Sequence, residues 1–126
     1  MILPRRSVWL KAIGLAMLSV ACTVLWLNTA NDLAQGYYRA WGHMGQAILE
    51  TGVALAALRW TALVGKLQTI VGAVVVVVYP IQGAVRNLPM DSVWIVETIV
   101  VVPALLGGIA LWLSAWVRAH EEVADR

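Results

Sequence analysis

The segment from Trp41 to Trp60, WGHMGQAILETGVALAALRW, is apolar and helix-length, has a tryptophan at each end, and carries a carboxylate, Glu50, at its middle. At about 100° per residue on a helix, His43, Ala47, Glu50, Ala54 and Ala57 share one face, with Arg39 in line one turn earlier. Ile48, Leu49, Val53, Leu55 and Leu58 point elsewhere. In a bilayer an ionised side chain at mid-depth costs at least about 2.5–3.5 kcal/mol on insertion scales, so Glu50 must be neutral, paired or turned toward water. The segment therefore predicts a membrane helix with its small, polar stripe against other helices and its apolar remainder in lipid.

The whole chain fits that environment. Of its 126 residues, 61% are hydrophobic and 13% charged, against about 45–50% apolar for a soluble domain. Each span takes about 20 apolar residues, which leaves room for four spans and no separate soluble domain. Residues 1–126 are thus expected to form one membrane domain, an all-α bundle of four transmembrane helices at about 7–27, 41–58, 67–88 and 93–117, with a charged tail at 118–126. The single cysteine, Cys22, excludes an internal disulfide and a multi-cysteine metal site. With a net charge of +2 and nine Lys and Arg scattered along the chain, the basic patch of a nucleic-acid binder is missing.

Taken in order, the first run has two arginines ahead of it and comes close to a bacterial lipoprotein cleavage site at Cys22. Ser19 occupies an aliphatic position of that pattern, and apolar Val24, Leu25, Trp26 and Leu27 follow where a polar tether belongs. An uncleaved helix is the expectation, packing through Ala12, Ala16, Ser19 and Thr23. Asn28–Arg39 reads as a hydrophilic connection with room for a short surface helix, Asn31 or Asp32 as cap, and Tyr37 and Tyr38 at the interface. Arg59, Trp60, Gly65 and Lys66 mark the next return. The run VVVVVYP favours sheet in water, but it sits within about 20 apolar residues, where an open sheet edge is not tolerated in lipid. At Asn87–Ser92, Pro89 stops one helix and Asp91 or Ser92 can cap the next. Small pairs at Ala12/Ala16, Gly52/Ala56 and Ala104/Gly108 suggest packing faces.

Orientation follows from charge. Arg5, Arg6, Arg59, Lys66, Arg118 and Arg126 collect on one side of a four-span chain, and Arg39 and Arg86 on the other. The positive-inside rule then places both termini in the cytoplasm. Trp9, Trp60, Trp112 and Trp116 fall at the inner border, and Trp26, Trp41 and Trp94 at the outer. Arginine in place of lysine fits a GC-rich bacterial genome, and the predicted location is the cytoplasmic membrane.

Glu50, Tyr79 and His43 are the candidate ion or proton site. Tyr79 counts to a depth similar to that of Glu50, Pro80 beside it frees the carbonyl of Val76, and Pro103 frees that of Ile99. His43 and Arg39 continue the track outward. Glu97 lies about 9 Å shallower than Glu50 at about 1.5 Å per residue, and Arg86 is its expected partner in a structural ion pair. One internal histidine is too few for a metal or haem site, no nucleophile, phosphate-loop or dinucleotide motif occurs, and neither an enzyme nor a cofactor is predicted. Small multidrug transporters share this size and span count but carry their acid in the first helix, where this chain has none between Lys11 and Asp32. The first expectation is a non-catalytic accessory subunit that packs in the bilayer against a second copy or a larger membrane complex. A proton- or cation-coupled transporter using Glu50 is the second, and a holin-like permeabiliser the third.

Overall fold

The computed structural model describes residues 5–36 and 40–126, and among them every regular element is a helix. Helix α1 spans Arg6–Ala34, α2 Ala40–Arg59 and α3 Thr61–Val85. Helix α4, Met90–Ala124, runs unbroken through a π-helical turn at Glu97–Val101. Three of the four, α1, α3 and α4, are long and apolar enough to cross a membrane. His43, Gln46 and Glu50 make α2 less apolar than the others.

Around the bundle α1 packs on α2, α4 packs on both α1 and α3, and α2 meets α3 more sparsely. The α1–α2 pair is antiparallel along its length. Lys11 Nζ donates to the Leu58 carbonyl at 2.9 Å, Trp26 Nε1 to Thr51 Oγ1 at 2.9 Å, and His43 Nδ1 meets Asp32 Oδ2.

The interior is small and the exterior large. Ala21, Ala57 and Ala104 join Leu18, Val64 and Leu111 in the core, while Ile48, Leu49, Leu55, Ile70, Val74 and Val77 are exposed. Water would drive the opposite arrangement. In lipid, helices associate by close backbone approach, which small residues permit. The tightest approach joins α3 to α4: a Cβ on Gly65 would lie 2.5 Å from the Trp112 nitrogen, and one on Gly108 2.8 Å from that of Thr69.

The helix limits differ from expectation where local bonding outweighs polarity. Helix α1 continues through Asn28–Ala34, because Asp32 finds a partner in α2 and does not need to cap a turn. Tyr37, Tyr38 and Arg39 lie outside the described residues. The return between α2 and α3 narrows to Trp60, whose φ of −112° and ψ of 52° break the helix, so Thr61–Lys66 are already helical. Asn87 closes α3 at a φ of 53°, and the Leu88 nitrogen donates to the Gly83 carbonyl at 2.9 Å, the Schellman arrangement for which Asn substitutes for Gly. Helix α4 then starts at Met90, which puts Asp91 and Ser92 inside its first turn and not at its cap.

Candidate functional site

Helix α2 presents its predicted face inward. Ala47 and Ala57 are buried, and His43, Glu50 and Ala54 half-buried. Of the residues expected to face lipid, Ile48, Leu49, Leu55 and Leu58 are exposed on the outside of the bundle, whereas Val53 packs partly on the core.

The three candidate residues do not converge. Glu50 turns toward α3, where Gln68 Nε2 donates to its Oε1 at 2.8 Å. Gln68, 9% exposed, holds the acid in place and shares a face with Gly65 and Gly72, all three buried against neighbouring helices. Sequence reasoning missed Gln68; its spacing from Gly65 and Gly72 is the signal that could have put it on a packing face, though not the partner it finds there. His43 turns the other way, to Asp32 of α1. The polar track from His43 to Glu50 is therefore split between two neighbours. Tyr79 is half-buried on α3, three turns beyond Gln68, and joins neither.

Glu97 is buried at 5% exposure, and neither carboxyl oxygen has a hydrogen-bond partner among the described residues. The expected ion pair with Arg86 does not form. Gly65 against Trp112, Gly72 against Leu105 and Gly83 against Val93 set the α3–α4 register. Carried along both helices, that register puts Glu97 opposite residues 79–80, nearly two turns short of Arg86. Arg86 ends α3 exposed, where its guanidinium reaches water.

The backbone at Glu97 is unusual as well. The Val102 nitrogen donates to the Glu97 carbonyl, five residues back. Pro103 supplies no N–H to the Ile99 carbonyl, and the wider π turn lies just ahead of it. A single-turn π element inside an α-helix is a frequent mark of functional sites. Sequence reasoning placed the proline but not the turn, since nothing in Glu97–Val101 distinguishes a π from an α hydrogen-bond pattern.

Among the described residues no three His, Cys, Asp or Glu side chains gather as metal ligands. The chemistry on offer is one amide-bonded carboxyl, Glu50, and one buried carboxyl without a partner, Glu97, which address α3 about three turns apart, roughly 17 Å. No protein-family model, curated protein or solved structure matches the chain.

Proposed function

We propose that this chain is a small, non-catalytic membrane subunit, four times membrane-spanning with both termini cytoplasmic, that docks through the outer surface of its α1–α2 pair. One observation carries the docking role: small residues that the fold itself does not use. On α1, Ala12, Ala16, Ser19 and Thr23 are exposed, although they are the stripe best suited to packing; the helix buries Gly14, Leu18 and Ala21 instead. On α2, Gly42, Gly45 and Gly52 are exposed, with nothing within 4 Å of where a Cβ would stand. Each glycine costs a helix about 1 kcal/mol relative to alanine, and facing lipid it returns nothing. Facing another helix, it permits close approach.

Four spans and the stated orientation are supported by α2 pairing with α1 along its length, by all seven tryptophans being exposed as border anchors require, and by the excess of arginine at one end. The cytoplasmic membrane of a bacterium is the location that fits these signs. The occupant of the docking surface is a second copy or a larger membrane protein.

The test is purification in a mild detergent with mass determination. Wild type should travel in a particle heavier than one 13.7-kDa chain, and Ala16→Leu with Gly52→Leu should reduce it to a single, still helical chain. Wild type running alone would refute the docking role.

A second reading, a proton- or cation-coupled transporter, gains from Glu97 what it loses at Glu50. Glu50 is occupied by Gln68, whereas Glu97 is buried and unpartnered beside a π turn. In liposomes this reading expects Glu97→Gln to abolish pH-driven flux and Glu50→Gln to preserve it; absence of flux in wild type removes it.

A further inference from the structure

Four cations gather at the end of the bundle where α2 turns into α3. Arg5 just ahead of α1, Lys11 of α1, Arg59 of α2 and Arg118 of α4 line one groove of about 730 Å³; among the described residues Glu122 is the carboxylate on its wall, and Glu121 and Asp125 stand at its edge, bonded to Ser7 and Arg5. The groove follows from the one-residue turn. Trp60 stops α2 without a capping residue, and Lys11 reaches across from α1 to bond the Leu58 carbonyl at 2.9 Å.

These cations are unequally occupied. Arg5 pairs with Asp125 at 2.7 Å and Arg118 with Glu122 at 2.9 Å, both as exposed pairs that open readily in water. Lys11 spends one donor of its three on Leu58. Arg59 has no carboxylate partner among the described residues, and its guanidinium lies 5.9 Å from the Trp60 ring centroid. Two cations with donors to spare, one from α1 and one from α2, thus face one opening.

We propose that this groove binds the phosphate of an anionic phospholipid, with Lys11 and Arg59 as its principal donors. A basic pocket between helices at a membrane border is suited to a lipid phosphate. A free anion would use the charges alone. The wall here also carries Trp60, Val8 and Leu63, all exposed, an apolar surface that an acyl chain can lie against and a free anion would not use. The site rests on the membrane placement argued above and is independent of the docking role.

Native mass spectrometry of the protein in detergent, offered phosphatidylcholine and phosphatidylglycerol together, tests it. Wild type should retain phosphatidylglycerol. The double variant Lys11→Gln, Arg59→Gln should lose about 30-fold of that retention, from roughly 1 kcal/mol per removed cation. Arg86→Gln, at the opposite end of α3, should keep it. Retention by wild type should also fall between low and high salt, a readout that stands even if the double variant fails to fold. Equal retention of both lipids, salt-independent retention, or full retention by a folded double variant overturns the proposal. Inorganic phosphate that displaces the lipid at equal concentration would show that the free anion is the ligand, which overturns the lipid assignment.

Discussion

Adding one methyl group to either of two glycines separates the inner packing face of this bundle from its outer one. At Gly65 a Cβ would stand 2.5 Å from the Trp112 nitrogen, 2.9 Å from its Cα and 3.0 Å from the Leu111 carbonyl carbon. Carbon atoms rest at about 3.5–4.0 Å, and these neighbours are backbone, so no rotamer change relieves the contact. Helices α3 and α4 must part by about 1 Å, and a gap of that size forfeits about a quarter to a half of each dispersion well along the seam. Overpacking of this kind costs about 1–3 kcal/mol. Gly52→Ala meets nothing within 4 Å. Both substitutions gain the same helix propensity, about 1 kcal/mol, so their difference isolates the packing contribution. Unfolding titrations in mixed micelles, at a protein concentration where the chain is monomeric, should place Gly65→Ala about 1–3 kcal/mol below Gly52→Ala, about 5- to 150-fold in the equilibrium constant. Equal midpoints for the two variants would refute the α3–α4 interface.

Other substitutions separate the two acids. Glu50→Gln should be nearly neutral in the same titration because the new amide oxygen can still accept from Gln68; Gln68→Leu should cost about 0.6–1.7 kcal/mol, from the average to the largest value typical of hydrogen bonds between membrane helices. Glu97→Leu should stabilise the fold by about 1 kcal/mol or more, since it removes a buried polar group that no partner compensates; a loss of stability would show that Glu97 has a partner. Trp26→Phe should cost about 0.6 kcal/mol by removing the bond to Thr51, read in the same way.

The helical class and the inward face of α2 were legible because both rest on periodicity: Ala47, Glu50, Ala54 and Ala57 repeat at helical spacing whatever the partners are. The packing face of α1 was not. Ala12, Ala16, Ser19 and Thr23 form as good a stripe as any in the chain, but the buried side is Gly14, Leu18 and Ala21, and small residues alone do not say whether they meet a neighbour within the chain or outside it. Ion pairs failed for a related reason. Depth counted along each helix ignores how neighbouring helices are set against each other, and Arg86 and Glu97, near in sequence, are held apart by the register of α3 on α4. Asp32 with His43 and Gln68 with Glu50 were missed because each pair is made across helices, where one side chain's choice depends on how its own helix is rotated. Such rotation is set by packing that a single sequence does not encode locally.

The central claim is that the outer surface of α1 and α2 is an interface. Cross-linking in native membranes addresses it directly, in a Cys22→Ser background with single cysteines at Gly52, on the outer face, and at Ala57, which is fully buried within the chain's own core. Cysteine at 52 should yield one discrete band heavier than a single chain, and cysteine at 57 none. No band at 52, or bands of equal strength from both positions, would contradict the account.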